Sequence, residues 1–456
     1  MSRLVVVSNR VALPGKRGGA EGGLATGLAR VLVEDGGLWF GWDGRISEQE
    51  RNVVVSDVGK VRYVTTALST AEYKQYYTGY ANRVLWPLCH YCVNLVRYSR
   101  SQDRGYQAVN RRFAELLLPR LQADDRIWIH DYHLIPLAAY LRAGGARQKI
   151  GFFLHVPFPP AELLRVLPNG ARLLQQLLAC DVIGFQTDAD VGTFRRSLEL
   201  FCPEAALTSE GARCDRRVVH IGAFPIGIDA EHTSELAAEG RAGPHGRRLH
   251  ESLAGRRLII GVDRLDYSKG LPERFRAYGQ LLERNPELHR HVTYLQVAAL
   301  SRAEVPEYRE LRADLNAVAG DIIGRFAQYD WLPLRYMLHG FARSTVLGFM
   351  SLAHVGLVTP LRDGMNLVAK EYIASQPESD PGVLVLSSLA GAARELSDAL
   401  IVNPYDVEGL SEALRVALEM PLTERQARWR GCLQALRRNT IHDWTRQFLE
   451  ALEGGV

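Results

Sequence analysis

Apolar residues recur along this chain in short continuous runs, separated by stretches of helical period. In the first half the runs are Leu4–Ser8, Leu38–Gly41, Ile127–His130, Ile150–His155, Val182–Phe185 and a segment ending at Pro225-Ile-Gly-Ile228. Runs of about four to eight apolar residues bounded by turn signals suit strands buried on both faces. Between them, Gly105–Leu121 and Leu134–Ala143 carry the three- and four-residue spacing of amphipathic helices. This alternation predicts a doubly wound α/β domain. The largely polar stretch Ser234–Arg248, with Gly240, Gly243, Pro244 and Gly246, reads as an interdomain connection.

The pattern then restarts. Leu258–Val262, Val292–Ala298, Val355–Thr359, Val383–Leu386 and Ala399–Val402 read as buried parallel strands, with helices over Leu271–Arg284, Glu307–Ala319, Val407–Glu419 and Ile441–Glu453. The expectation is two Rossmann-like domains, 1–228 and 229–440, facing across a central cleft. Ligands in such sheets sit beyond the carboxyl ends of the strands.

Composition narrows the class of function. At 456 residues the chain is long enough for two cores, and its formal net charge of +4 comes with no dense basic run, against nucleic-acid binding. No run approaches the ~20 apolar residues of a membrane span, and Leu4–Val7 is too short for a signal peptide. The six scattered cysteines fit reduced thiols in a cytoplasmic protein. Cys89 and Cys92 form one C-x-x-C pair without a second at zinc spacing, so no metal is expected.

Candidate chemistry gathers at the ends of the predicted strands. The strand at Leu4 ends in Asn9-Arg10 and leads to a glycine-rich loop, Gly18–Leu24, containing Gly22 and Gly23. Paired glycines let a backbone approach a pyrophosphate, and arginine offers a phosphate fork. Asp131 stands between His130 and His133, which are expected to point apart, so it reads as a hydroxyl acceptor or as the cap of the next helix. His155 ends a strand before Pro157 and Pro159, which hold it firmly, as a group near a reacting carbon requires; a core histidine is the plainer reading.

In the second half, Asp263-Arg264-Leu-Asp266-Tyr-Ser-Lys269 places two cations on a strand–loop–helix junction, where both can reach one diphosphate. Ser301-Arg302 adds another. Each alone reads as a surface ion pair; together they point to a site. Thr359-Pro-Leu-Arg-Asp363-Gly-Met-Asn366-Leu-Val-Ala-Lys370-Glu371 is the most informative stretch. It runs from a strand through a turn at Gly364 into a helix start, which makes an anion site. Asp363 and Glu371 add carboxylates for hydroxyls, so the segment reads as a sugar-nucleotide site.

Taken together, SRLVVVSNR, GGLWFGW, VLWPL, WIHDYHL, IGFFLHVPFP, PIGID, RLDYSKGLPERF and VGLVTPLRDGMNLVAKE resemble the trehalose-6-phosphate synthases of glycosyltransferase family 20. These are retaining glycosyltransferases of the GT-B fold. The resemblance spans most of the chain in order. It implies that 441–456 crosses back onto the first domain. It assigns glucose 6-phosphate to Arg10, Tyr77, Trp86, Asp131 and Arg302. For UDP-glucose it implies Gly22, Gly23, Arg264, Lys269, Phe341, Asp363 and the Leu367, Val368, Ala369, Lys370, Glu371 segment. His155, Asp131, Arg264 and Lys269 are the implied catalytic set, with no metal or other cofactor. Lys370 is expected to face the nucleotide, Glu371 the ribose, and Asp363 with His155 the transferred glucose.

The implied reaction gives trehalose 6-phosphate and UDP, by front-face attack with His155 supporting an oxocarbenium-like transition state. The alternatives are a glucosylglycerol-phosphate synthase, a pseudo-glycosyltransferase joining cyclitols, or a regulatory subunit without activity. Ala298-Ala299-Leu300 replaces a turn in which relatives often carry proline. The donor base and homo-oligomer formation are left open by the sequence.

Overall fold

The computed structural model describes residues 2–11, 13, 32–33, 36–49, 52–214, 217–302 and 305–454. The chain divides into two compact units, Met1–Ile226 with His442–Val456, and Gly227–Ile441. Each is an α/β unit built on its own largely parallel sheet, the two-domain GT-B class.

The first unit's strands are β1 (Leu4–Arg10), β2 (Gly37–Ile46), β3 (Val54–Val58), β4 (Val61–Leu68), β5 (Arg126–His130), β6 (Lys149–Phe153), β7 (Val182–Phe185), β8 (Ala206–Leu207), β9 (Gly211–Cys214) and β10 (Arg217–Ala223). They run in the order β3-β4-β2-β1-β5-β6-β7-β10-β9-β8. Pairing is parallel from β4 to β10 and antiparallel at the two margins. The chain builds outward from β1 on one side and restarts at β5 on the other. Their boundary is a topological switch point, where loops part and leave a crevice.

The second unit has β11 (Arg257–Arg264), β12 (Val292–Ala299), β13 (Leu334–Met337), β14 (Val355–Val358), β15 (Val383–Ser387) and β16 (Leu400–Val402), ordered β13-β12-β11-β14-β15-β16 and wholly parallel. Its switch point lies between β11 and β14. β14, β15 and the Leu258–Val262 centre of β11 are almost fully apolar because helices cover both faces. Phe275, Tyr278, Leu281 and Leu282 of one helix pack with Tyr294, Leu357 and Leu414 in this core.

Three features depart from the expected pattern. Ser234–Arg248 is no linker but parts of two helices, Ala230–Ala242 and Pro244–Leu253. Asp229 caps the first by accepting the His232 N–H, and Gly240 is there for packing. A Cβ on Gly240 would stand 1.8 Å from the Ser344 carbonyl oxygen, so this glycine admits a neighbouring helix. The strand expected to end at Ile228 stops at Ala223. Pro225 has no N–H for a ladder, and the Ile226 N–H goes to the Gln186 side chain at 3.0 Å. The pair β3–β4 and a wide helix over Tyr73–Leu85 were not anticipated.

The helix Ile441–Glu453 packs with the first unit. Ile441, Trp444, Thr445, Phe448, Ala451 and Leu452 are its buried positions, at helical spacing. Phe448 stacks on Trp128 at 4.7 Å and 13°, while Trp444 lies 4.7 Å from the same ring and edge-on to Phe153. Gly151 makes room: a Cβ there would meet the Phe448 ring at 2.6 Å. Gly151→Val should therefore destabilise the chain by about 1–3 kcal/mol through overpacking. The expected readouts are a lower urea midpoint and faster proteolysis just before Ile441; an unchanged midpoint would contradict this packing.

Candidate active site

Three neighbouring strand ends form the polar ground of the first unit. β1 ends in Arg10, β5 is followed by Asp131, and β6 runs on to His155. The Arg10 guanidinium lies 5.9 Å from the Trp42 ring centroid and over Gly44, where a Cβ would stand 2.7 Å from Nη2. Tyr77 is half-buried, stacked parallel on His133 at 5.8 Å and 5.4 Å from Trp42. Trp86 is buried against His90 and Tyr132. Cation, carboxylate and aromatic surface at one sheet edge can bind a phosphorylated sugar. The loop with Gly22 and Gly23 lies outside the described residues.

Asp131 adopts φ 77°, uncommon for a residue with a side chain. Its N–H donates to the Phe153 carbonyl at 2.8 Å, and its Oδ1 takes a long 3.4 Å contact from the His155 N–H. The two sites expected to cooperate are thus held side by side. His130 and His133 diverge: His130 is fully buried toward His155 and Trp128, and His133 turns to Tyr77 and Tyr132.

A directed hydrogen-bond chain fixes the His155 ring. Gln186 Oε1 accepts from the Ile226 N–H, which orients its amide so that Nε2 donates to His155 Nδ1 at 3.4 Å. With Nδ1 accepting, the neutral ring carries its proton on Nε2 and donates to His130 Nδ1 at 3.1 Å. The His130 proton is then on Nε2, among the rings of Trp128 and Trp444. Burial pushes the His155 imidazole down to about 3 and holds His130 well below the ordinary range, the latter helped by His155 itself. Both rings are neutral around pH 7. Both ring nitrogens of His155 are thus held by protein groups.

In the second unit the site elements lie at the β11/β14 switch point. Arg264 is exposed at the end of β11, and Lys269 sits on the following turn with Nζ 2.5 Å from Asp363 Oδ2. Asn366 Nδ2 donates to the same oxygen at 2.9 Å. Asn366 also caps the helix Leu367–Ser375, its Oδ1 accepting the Ala369 N–H at 3.3 Å. Helix geometry leaves the Leu367 and Val368 N–H groups without an intrahelical acceptor. Two cations beside these N–H groups can hold a diphosphate.

Glu371 is held by Arg343 at 2.9 Å. Burial raises its pKa against the lowering effect of Arg343. Phe341 joins an aromatic group with His245, His339 and Phe349. Lys370 corrects the sequence reading. Its side chain is fully buried, and Nζ pairs with Glu395 at 2.6 Å. It lies on the inner face of the helix and serves the core, not a nucleotide. Among the described residues no three His, Cys, Asp or Glu side chains gather to hold a metal ion, and no helix is long and apolar enough to cross a membrane.

The family model for glycosyltransferase family 20 matches residues 3–454. The chain belongs to glycosyltransferase family 20. It is 46% identical to the trehalose-6-phosphate synthase of Sodalis glossinidius (strain morsitans), over 99% of this chain and 96% of that one. An alpha,alpha-trehalose-phosphate synthase (UDP-forming) from Burkholderia xenovorans, solved in complex with glucose-6-phosphate, matches with TM-score 0.95 and 44% identity over 99% of this chain and 100% of that one. An E. coli structure bound with UDP-2-fluoro glucose matches with TM-score 0.94 and 43% identity over 99% of both chains.

Sequence reasoning on this family-20 glycosyltransferase missed Gln186, Tyr308 and Arg343, and read Asp266 only as part of a cationic motif. Gln186 carries a legible signal: a polar residue directly after the buried strand β7. Arg343 carries none, because Glu371 lies 28 residues away, and neither does the contact of Tyr308 with Asp266, 42 residues away.

The neutral histidines give the enzyme a pH signature. An unfolded imidazole binds a proton near pH ~6.5. The folded His155 does so only near 3, so acidification from ~6.5 toward ~3 favours the unfolded chain. Between pH 6.5 and 5 the loss from His155 is on the order of 1.5 kcal/mol. His155→Gln should remove one such contribution from the pH dependence of urea unfolding. A dependence identical to wild type would contradict a neutral His155.

Proposed function

We propose that this chain is an α,α-trehalose-phosphate synthase that transfers glucose from UDP-glucose to glucose 6-phosphate with retention, giving trehalose 6-phosphate and UDP. The observation that carries this reading is the pairing of Lys269 with Asp363 beside the start of the helix Leu367–Ser375, with Arg264 at the end of β11, all at one switch point. That arrangement suits a nucleoside diphosphate whose sugar lies beside a carboxylate. Arg264, Lys269 and the Leu367 and Val368 N–H groups hold the diphosphate. Glu371 takes the ribose hydroxyls, Asp363 the transferred glucose, and Phe341, Gly22 and Gly23 complete the donor set. Arg10, Tyr77, Trp86, Asp131 and Arg302 bind glucose 6-phosphate. The complete acceptor set favours a phosphorylated glucose over the acceptors of a glucosylglycerol-phosphate synthase.

Retention follows from attack on the face the diphosphate leaves. The acceptor hydroxyl forms the new bond to the anomeric carbon as the bond to the diphosphate oxygen breaks, and that oxygen takes the hydroxyl proton. A covalent route needs a free carboxylate nucleophile. Asp363 is already engaged by Lys269 at 2.5 Å and Asn366 at 2.9 Å, which favours the front-face route. Arg264 and Lys269 take up the charge that grows on the leaving group, without a metal. His155, neutral and held at both nitrogens, shapes the wall around the transferred glucose and keeps Asp131 beside it. Both substrates are cytoplasmic metabolites, and the reaction is placed there.

The test is a mass-spectrometric screen of UDP-, ADP- and GDP-glucose against glucose 6-phosphate. A trehalose 6-phosphate mass with UDP-glucose is expected, and its absence with every donor would overturn the reading. Lys269→Ala and Arg264→Ala should each lower kcat about 10²–10³-fold, the scale of losing one preorganised charge partner.

A further inference from the structure

Asp266 stands between the donor loop and Arg302. It is fully buried, and a buried carboxylate persists only when its oxygens are satisfied. Oδ1 accepts from the Ser268 N–H at 3.1 Å and the Ser268 hydroxyl at 3.0 Å, on the turn that carries Lys269. The Asp266 carbonyl accepts the Lys269 N–H at 3.1 Å. Oδ2 faces the other way, accepting from Arg302 Nη1 at 3.1 Å and from the Tyr308 hydroxyl at 2.9 Å. The Tyr308 oxygen itself accepts from Arg302 Nη1 at 2.6 Å.

The three side chains form a closed triangle, with the Arg302 side chain only 8% exposed. Arg302 needs such an anchor because its backbone is left-handed, φ 48°, a conformation unfavourable for a residue with a side chain. The Val305 N–H closes on the Arg302 carbonyl and the Tyr308 N–H on that of Val305, so one turn carries both Arg302 and Tyr308.

We infer that Asp266 and Tyr308 are positioning residues that fix Arg302 for the acceptor phosphate and couple it to the donor-diphosphate loop. The inference rests on the proposed roles of Arg302 and Lys269. A diphosphate that draws Lys269 toward itself moves the turn whose amide and hydroxyl hold Asp266 Oδ1. Oδ2 passes that shift to Arg302. Such coupling is reciprocal: UDP tightens glucose 6-phosphate by the same factor that glucose 6-phosphate tightens UDP.

Tyr308→Phe keeps the ring and removes the bridging hydroxyl, and Asp266→Asn keeps the shape and removes the charge. Each is measured in the full chain by steady-state kinetics and by calorimetric titration of glucose 6-phosphate with and without UDP. For Tyr308→Phe the KM for glucose 6-phosphate should rise about tenfold, as expected for losing one hydrogen bond to a charged group. The KM for UDP-glucose should stay within about twofold, and the factor by which UDP tightens glucose 6-phosphate should fall toward one. Asp266→Asn should lower the same factor and raise both KM values. Should the wild type bind glucose 6-phosphate equally with and without UDP, the coupling is overturned. A wild type that couples, with Tyr308→Phe retaining both the acceptor KM and the coupling factor, overturns the positioning role. So does an equal loss at both substrates in Tyr308→Phe, the mark of general loosening. A wild type that forms no trehalose 6-phosphate removes the functional reading instead, and this inference with it.

Discussion

The second unit depends on one buried ion pair. Arg274, with no exposed surface, projects from the helix Leu271–Arg284 beneath the strand ends. Its guanidinium pairs with Asp263 on β11. It donates through Nε to Thr359 Oγ1 at 2.9 Å, just past β14, and through Nη2 to the Lys269 carbonyl at 2.9 Å. Gln296 on β12 donates to the same Asp263 carboxylate at 3.3 Å. Two charges withdrawn from water this completely are tolerated only when their remaining donors and acceptors are met, and removing one partner of such a pair costs about 3–5 kcal/mol. The pair joins the ends of β11, β12 and β14 with the Lys269 turn, so the residues that bear the function inherit their positions from it.

The charges nearer the surface follow a related logic. Lys269 meets Asp363, Arg343 meets Glu371, and Lys370 meets Glu395. Lys370 lies within the core and pairs with the part-exposed Glu395. The other two pairs are part-exposed, so each offers one charge to a ligand while its partner holds it in place. A cation positioned in advance needs little reorganisation as charge develops on a departing group. A carboxylate beside it can at once accept sugar hydroxyls. On the proposed reading, one pair of side chains serves both halves of a nucleotide sugar.

Much of this was legible in the sequence, for definite reasons. β1, β5, β7, β11 and β14 are apolar because both faces are covered, and strand burial leaves an unbroken signature. Arg10, Asp131, His155, Arg264 and Asp363 stood out as candidates because parallel sheets place chemistry directly after such runs. What escaped was tertiary. Gly240 looked like a linker glycine because composition cannot distinguish flexibility from the close approach of two helices. Lys370 looked like a ligand because a motif does not state which side of its helix faces inward. Asp266 and Tyr308, far apart in sequence, meet only through the register that sets β11 beside β12, where Leu265 N–H closes on the Ala299 carbonyl at 2.8 Å.

The two units answer one requirement with opposite chemistry. At the strand ends of the first, the buried groups are neutral: His155 and His130 share one proton-bearing contact, and Gln186 fixes its direction. At the strand ends of the second they are charged, with Arg274 on Asp263 and Arg302 on Asp266. A neutral chain of this kind holds geometry without adding field, and burial keeps it neutral by disfavouring the imidazolium. Fixed ion pairs hold geometry and add field. For glycosyl transfer that division is physically apt. The departing diphosphate gathers negative charge and requires a strong field, whereas an imidazolium beside the positive transition-state sugar would oppose the reaction. On the role proposed for His155, its depressed basicity serves the chemistry as well as following from desolvation.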